Sequence, residues 1–324
     1  IYVSSGTYYE NVVVNKTVSL IGEDRDTTII DGKRAFVTII HITVNNVSIR
    51  GFTIQNNQPI HCLVGGGIYI TDFNGTDITD TLIKNNQKGI NLQNSVGNTI
   101  IGNTIIENDV GIQFLGKSSN NTIYHTNLIN NGLQTCEIDG ATNAWDSGYP
   151  SGGNYWSDYT SIDNYAGQYQ NITGSDGIGD SPYVIDANNQ DNYPLVHPYG
   201  SIRNLNTNLT YLTMQSAINA PQTLNGHTIL VKSGIYYEHV VVNKTVSFIG
   251  ENKSTTIIDG NGTRDCIKIK SDGVVFRDFT TRNGNLVDVR VDENVSNVLI
   301  KDNVILDSDW GIYLSLCSIN TVEG

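Results

Sequence analysis

The chain contains a long internal duplication. Residues 1–32 read IYVSSGTYYENVVVNKTVSLIGEDRDTTIIDG, and residues 229–260 read ILVKSGIYYEHVVVNKTVSFIGENKSTTIIDG, with 24 identities in 32 positions. Both copies contain short β-branched runs such as VVVN, separated by Gly, Asn and Asp turn residues, which is typical of strands. The duplication predicts one complete all-β unit followed by part of a second.

A shorter repeat follows the first copy. Four apolar segments close on asparagines at nearly regular intervals, with a longer first interval, and these are Asn57, Asn86, Asn108 and Asn131. The runs GIYI, GINL and GIQF open on evenly spaced glycines, which are Gly67, Gly89 and Gly111. A period near 22 with such short strands predicts a right-handed parallel β-helix, in which each coil adds one strand to each of about three sheets.

The residue types fit this geometry. We expect Ile, Val and Leu to point inward, and Asn and Gly to occupy corners where φ is positive. Aligned Asn side chains can also hydrogen-bond along the stack of coils. The longer interval between Asn57 and Asn86 predicts an inserted loop at residues 58–66.

The composition changes in residues 143–199, which are rich in Trp, Tyr, Gly and Asp and lack the coil period. NYWSDY (154–159), SDGIGDSPYVID (175–186) and NNQDNYPL (188–195) resemble the segment that closes NosD-type β-helix proteins, which are found among archaeal surface proteins. The preceding coils resemble the carbohydrate-binding and sugar-hydrolase, pectin-lyase-like group of β-helix repeats. The resemblance implies a parallel β-helix and a surface setting, and no established activity.

A second unit is expected to begin after this segment. Met214, Ala217 and Ile218 share one face of a short predicted helix, which resembles the amphipathic cap helix of many pectin-lyase-like β-helices. Such caps cover the unpaired strands at the open end of a β-helix. We therefore predict coils in 1–142, an irregular closing segment in 143–200, and a cap helix with further coils in 201–324. Both ends cut through a repeat unit, so we expect a fragment of a longer tandem protein.

Composition and sequence motifs limit the cellular locations and the classes of partner that are expected. A charged fraction of 16% and a net charge of −13 disfavour nucleic acid as a partner. The sequence contains no apolar run of about 20 residues, so a membrane-spanning helix is not predicted. The four cysteines lack CxxC spacing, which disfavours zinc and leaves their pairing open: Cys62, Cys136, Cys266 and Cys317. Ten N-x-S/T sequons favour an exported, glycosylated protein: Asn15, Asn46, Asn74, Asn120, Asn171, Asn208, Asn243, Asn252, Asn261 and Asn294.

The closing segment contains candidate metal ligands. A calcium site is predicted at four carboxylates on Gly-rich irregular chain, which are Asp176, Asp180, Asp186 and Asp191. DGIGD lacks the full calcium-loop ligand series, and the alternative is that these side chains cap turns. NosD-type proteins are also linked to copper. Copper is not expected here, because Met214 is the only methionine and the best His/Cys pair is a lone one, His61 with Cys62.

The same segment suggests carbohydrate binding. Flat rings with polar edges can stack against sugars, and the candidates are Trp145, Trp156, Tyr165 and Tyr169. The favoured alternative places the aromatic residues in the core of a cap, with Tyr165 and Tyr169 as the exposed rings. Polygalacturonase-like and pectin esterase signatures are missing, although a glycosidase needs two carboxylates facing one sugar bond.

We therefore expect a non-enzymatic extracellular protein that serves as a structural or adhesive element of a cell surface, in a layer, stalk or filament. Its expected partners are further copies of itself or surface glycans. The alternatives are a glycan-binding module that uses the loop at 58–66 and the aromatic segment, and a polysaccharide lyase or hydrolase.

Overall fold

The computed structural model of this chain describes residues 1–33, 38–57, 65–137 and 140–324. It contains two compact units, the first formed by Ile1–Gly174 with Ile178–Pro198 and the second by Ser175–Gly177 with Tyr199–Gly324. Each unit is a stack of short parallel strands, so the predicted β-helix fold is confirmed. Most of the predicted loop at 58–66 lies outside the described residues, since the description resumes at Gly65.

The first unit contains three parallel sheets. Sheet A is formed by Tyr2–Val3, Ser19–Gly22, Ser48–Arg50, Asp77–Thr79, Thr99–Ile101 and Thr122–Tyr124. Sheet B is formed by Gly6–Tyr8, Thr28–Asp31, Thr53–Gln55, Leu82–Lys84, Thr104–Ile106, Asn127–Ile129 and Tyr155–Trp156. Sheet C is formed by Val12–Val14, Ile40–Ile42, Ile68–Thr71, Lys88–Gln93, Val110–Leu115 and Leu133–Glu137. The chain visits sheets A, B and C in turn, so each coil contributes one strand to each.

The register reproduces the sequence period. Ile68, Ile90 and Ile112 are direct neighbours on adjacent strands of sheet C, each one coil period after the last. Equivalent inward columns, all 0% exposed, lie on sheet A (Ile49, Ile78, Ile100, Ile123) and on sheet B (Ile54, Ile83, Ile105, Leu128). Full burial of such a side chain contributes about 1.5–3 kcal/mol. The stacked aliphatic columns therefore form one continuous core along the first unit.

The corner asparagines differ from the expectation in one respect. Positive φ falls on the residue before each closing asparagine, at Asn56 (67°), Asn85 (54°), Glu107 (54°) and Asn130 (50°). The closing asparagines themselves are not among the residues with positive φ. Turning the chain one position earlier points the next side chain inward, where it can bond along the stack.

The glycine column also has a different cause. Gly67, Gly89 and Gly111 are not among the glycines with positive φ. A Cβ atom on Gly111 would lie 2.4 Å from the carbonyl oxygen of Gln134, and one on Gly89 would lie 2.6 Å from that of Gly111. Close approach between coils, rather than a left-handed backbone, therefore requires glycine here.

The second unit repeats this arrangement. Its first sheet is formed by Ile202–Asn204, Thr210–Tyr211, Thr228–Val231, Ser247–Gly250, Val275–Arg277, Leu299–Lys301 and Thr321–Glu323. Its second sheet is formed by Gly234–Tyr236, Thr256–Asp259, Thr280–Arg282 and Val304–Leu306. Its third sheet is formed by Val240–Val242, Ile267–Ile269, Val287–Val291 and Trp310–Leu314.

The duplicated sequence gives the same side-chain bonds in both units. The Tyr8 hydroxyl donates to the carbonyl of Ser4 at 2.9 Å, and its counterpart Tyr236 donates to that of Lys232 at 2.8 Å. The main-chain N–H of Ser5 donates to Glu23 at 2.8 Å, and their counterparts in the second copy, Ser233 and Glu251, form the same bond at 3.0 Å. The duplication thus encodes a complete local structure.

The predicted cap helix is present as Met214–Asn219 at the start of the second unit. Thr213 is its N-cap and forms a capping box with Ser216. The helix face formed by Met214, Ala217 and Ile218 is 0% exposed, so it covers the beginning of the second core. The strand Ile202–Asn204 pairs antiparallel with Thr228–Val231, which covers that strand's free edge.

Candidate functional site

Buried asparagines form a ladder of hydrogen bonds at the corner between sheets B and C. The main-chain N–H of each closing asparagine donates to the side-chain Oδ1 of the next one. The distance is 3.0 Å from Asn57 to Asn86, from Asn86 to Asn108, and from Asn108 to Asn131. The side-chain bonding that the sequence suggested for this column is therefore present.

Two further ladders run into the closing segment. The N–H of Asn121 donates to Oδ1 of Asn143 at 2.9 Å, and the N–H of Asn143 donates to Oδ1 of Asn189 at 2.9 Å. At the next corner the N–H of Asn154 donates to Oδ2 of Asp191 at 2.7 Å. Asn189 and Asp191 of the NNQDNYPL motif therefore form the last rungs of the stack.

Asp191 is the most constrained carboxylate of the first unit. It is 0% exposed and accepts hydrogen bonds from the N–H of Asn154, the indole Nε1 of Trp156 (2.9 Å) and the N–H of Tyr193 (3.1 Å). Burial raises the pKa of Asp191 to about 7, and these N–H donors oppose the shift. A Cβ atom on Gly153 would lie 1.9 Å from Oδ1, so glycine is required beside it.

The other predicted calcium ligands have separate surroundings. Asp186 accepts from the N–H of Asn188 at 2.6 Å and from Nδ2 of Asn189 at 2.9 Å. Asp180 accepts from the N–H of Tyr165 at 3.0 Å, and Asp176 is half-buried in the second unit. In the described ranges, no group of three or more His, Cys, Asp or Glu side chains could hold a metal ion. Turn capping accounts for the observed bonds of Asp180 and Asp186, and calcium stays a prediction.

The aromatic residues of the closing segment form a packed cap. Trp145 is 1% exposed and Trp156 is 0% exposed, with ring centroids 5.7 Å apart. Trp145 also meets Phe114 of sheet C edge-on, and Trp156 stacks on Tyr183 at 4.1 Å. The prediction of Trp145 and Trp156 as sugar platforms is corrected, because a stacking ring needs an accessible face. The favoured alternative, a cap core, describes both residues.

Two predicted rings are accessible. Tyr165 lies in the hairpin formed by Tyr165–Ala166 and Ile172–Thr173, and is 44% exposed. Tyr169 lies at the tip of that hairpin and is 78% exposed. Both of these predicted rings are therefore available for stacking on a sugar.

Sequence analysis missed a polar column on the outward side of sheet C. His41, Tyr69, Asn91 and Gln113 are register neighbours, and the last three are only 5%, 0% and 5% exposed. The His41 and Tyr69 rings stack at 5.1 Å, and Nδ2 of Asn91 donates to the carbonyl of Gly65 at 3.0 Å. The sequence signal for this column was the third residue of GIYI, GINL and GIQF, which is Tyr69, Asn91 or Gln113 and alternates with inward-pointing apolar residues. At these residues the column is closed to solvent and offers no open binding surface.

The predicted glycosylation residues share one property. All ten sequon asparagines are exposed. The ladder asparagines Asn86, Asn108 and Asn121 are at most 3% exposed, and none of them begins a sequon. The sequon asparagines are therefore at the surface, and these ladder asparagines are buried.

Copper donors are dispersed in the described residues. Met214 is fully buried in the cap helix, and Nε2 of His125 lies 2.7 Å from the carbonyl of Ser151. Buried Cys266 contacts the carbonyl of Arg282, while His61 and Cys62 lie outside the described residues. Cys136, Cys266 and Cys317 are free thiols. These residues do not supply a copper donor set.

One open cleft lies at a corner of the second unit. Its volume is about 250 Å³, and it is lined by Asn261, Gly262, Asn283, Gly284, Asn285 and Asp307. The lining contains a single carboxylate and no aromatic ring, whereas a glycosidase needs two carboxylates about 5–10 Å apart.

Comparison with known proteins finds one family match and one curated relative. The family described as "Periplasmic copper-binding protein (NosD)" matches residues 4–161. Residues 4–161 are therefore similar to this family over just under half of the chain. The family resemblance is thereby confirmed over the coils and the first part of the closing segment. A "Cell surface glycoprotein" of Methanothermus fervidus is 33% identical over 118 residues, which is 35% of this chain and 19% of that relative.

The similarity to solved structures is low. A variant catalytic domain of GH87 alpha-1,3-glucanase with bound tetrasaccharides has 14% identity and a TM-score of 0.38, covering 100% of this chain and 61% of that one. The same domain in complex with nigerose has 14% identity and a TM-score of 0.36, covering 99% and 61%. These low values carry no argument about activity. Over the part of the chain that the structure describes, helices fall short of the length and apolarity needed to cross a bilayer.

Proposed function

We propose that this chain is part of a non-enzymatic, glycosylated protein of a cell surface with a structural or adhesive role. The observation that carries the proposal is the exposure of all ten sequon asparagines on a duplicated β-helix. The relative named as a cell surface glycoprotein and the family described as periplasmic both support a location outside the cytoplasm.

The architecture suits a mechanical role. Each coil packs on its neighbours through aliphatic columns and asparagine ladders, so stability is the sum of many nearest-neighbour contacts. Two of the three ladders end on Asn189 and Asp191 beneath a packed aromatic cap. Rigid stacks of this kind can serve as segments of a layer, stalk or filament.

The test is electron microscopy of the native material, with and without a calcium chelator. Ordered fibres or sheets are expected if copies of the protein assemble. Loss of order on chelation would support the prediction of bound calcium. Isolated particles in both conditions would contradict self-assembly.

Glycan binding is the second candidate, and the exposure of Tyr165 and Tyr169 favours it. A glycan array with the wild-type protein and the Y165A and Y169A variants tests it, because loss of a stacked ring weakens binding. Tyr237→Ala is the matched control, since this ring is 56% exposed in the second unit. Equal binding by all four proteins would exclude the hairpin as the binding surface. Release of reducing ends from polysaccharides would instead favour the hydrolase alternative.

A further inference from the structure

The sequon asparagines differ from the ladder asparagines in what their amide nitrogen does. In the ladder, Nδ2 of Asn108 donates to the carbonyl of Ile83 at 3.1 Å and to Oδ1 of Asn131 at 3.0 Å. Asn74, a sequon residue, accepts from the N–H of Val96 at 2.9 Å through Oδ1. Within the described chain, none of the ten sequon residues shows a hydrogen bond donated by Nδ2, the atom that carries an N-linked glycan.

The sequons of the first unit are concentrated at one corner. Four of its five sequons lie in the turn that leads from sheet C into a strand of sheet A: Asn15, Asn46, Asn74 and Asn120. Among the described residues, the turns between sheets A and B and between sheets B and C of this unit contain none. The fifth, Asn171, lies in the closing segment.

The first three of these turns lie directly on one another, whereas one coil without a sequon, with its turn at residues 94–98, separates the Asn74 turn from the Asn120 turn. The hydroxyl of Thr17 donates to the carbonyl of Asn45 at 2.9 Å, which joins the first turn to the second. The N–H of Asn46 donates to the carbonyl of Asn74 at 3.0 Å, which joins the second to the third. Adjacent strands in a sheet are about 4.8 Å apart, so the sequons form a row along one edge of the first unit.

We propose that this edge carries a row of N-linked glycans at Asn15, Asn46, Asn74 and Asn120. In each modification Nδ2 attacks C1 of a lipid-linked oligosaccharide phosphate donor. The N–C1 bond forms, the C1–O bond to phosphate breaks, and the amide proton passes to a base. Bulky hydrated sugars then occupy this corner of the first unit.

The inference rests on the proposed surface location, and glycopeptide mass mapping of the native protein tests it. We expect glycans on peptides that contain the four row asparagines, and unmodified ladder asparagines. Unmodified row peptides, or a glycan on Asn171 alone, would overturn the row. Ordered assemblies without glycans would leave the structural role standing and refute only the row.

A pair of variants expressed in the producing organism sharpens this test. Asn120→Gln should lower the intact mass by one glycan. Asn130→Gln is the matched control, because both residues are exposed with similar positive φ of 56° and 50° and only Asn120 begins a sequon. An unchanged glycan mass in Asn120→Gln would contradict modification at that rung of the row.

Discussion

Substitution of Asp191 by Asn tests whether the Asp191 carboxyl group, the last acceptor of its ladder, is protonated or charged. The amide oxygen of Asn can take the place of Oδ2 and keep the bonds from Asn154 and Trp156. The amide NH₂ group then faces the N–H of Tyr193, which bonds to Oδ1 in the wild type. One buried donor is left without an acceptor, which costs about 1–3 kcal/mol.

The pH dependence gives a second, sharper expectation. The pKa of Asp191 is about 7 in the folded chain and near 3.8 when unfolded, so between these values the folded state binds a proton that the unfolded state lacks. The free energy of unfolding therefore falls as pH rises through this window, by at most about 1.4 kcal/mol per pH unit. Asn does not titrate, so the stability difference between wild type and variant should shrink by about 2 kcal/mol between pH 5 and pH 7.

In the stability difference between wild type and variant, the contributions of the other titrating groups of the first unit cancel. The pKa values of His41, His125 and His197 are lowered by burial, which makes folding more favourable as pH rises toward 6.5 in both proteins. The lowered pKa of Asp31 acts below pH 4. These contributions cancel in the difference, whereas the contribution of Asp191 does not.

Urea denaturation followed by tryptophan fluorescence is the assay, since Trp145 and Trp156 are buried beside Asp191 and Trp310 is already 58% exposed. Asp77→Asn, at an exposed position on sheet A, is the control and should change stability by less than about 0.5 kcal/mol. A wild-type-to-variant difference that stays constant from pH 5 to pH 8 would refute the proton on Asp191. A variant as stable as the wild type at pH 5 would refute its role as a rung.

Three other substitutions probe the ladder and the caps. Asn108→Ala removes the acceptor of a buried N–H and should cost about 1–3 kcal/mol in urea denaturation, against a negligible effect for exposed Asn171→Ala in unglycosylated protein. Trp156→Ala should cost about 3–5 kcal/mol in the same assay, while Tyr169→Ala should leave stability unchanged. Glu238→Gln should speed hydrogen exchange in residues 214–219, because the Glu238 carboxylate accepts the N–H groups of Met214 and Gln215 at 3.0 and 3.2 Å.

The sequence predicted the periodic part of this structure well. Strands, coil length and the inward isoleucine columns follow from the coil period and from the longer duplication, because a residue must stack on its equivalent in the next coil. Periodicity fixes which residues stack, but not the direction in which each corner side chain points. The positive φ was therefore expected one residue too late, and the reason for the Gly89 and Gly111 column was different.

The aperiodic segment was harder to predict for a physical reason. Whether a Trp is a platform or a core residue depends on what packs above the last coil, and Tyr183 lies far beyond Trp156 in the sequence, with no repeat to link the two. The role of Asp191 likewise depends on Asn154 and Trp156, which lie 37 and 35 residues earlier in the chain. Composition alone made Asp191 resemble a calcium ligand, whereas its neighbours make it the end of a ladder.

The double asparagines show how a shift of one position separates surface from interior. In Asn56-Asn57, Asn85-Asn86 and Asn120-Asn121, the first residue has positive φ, and the second is at most 4% exposed. Asparagine tolerates the left-handed backbone better than most residues, and the second amide satisfies an N–H of the neighbouring coil. A glycan on the first residue of such a pair, as at Asn120, can project into solvent without disturbing the ladder, so one short corner can both hold the coils together and carry a sugar.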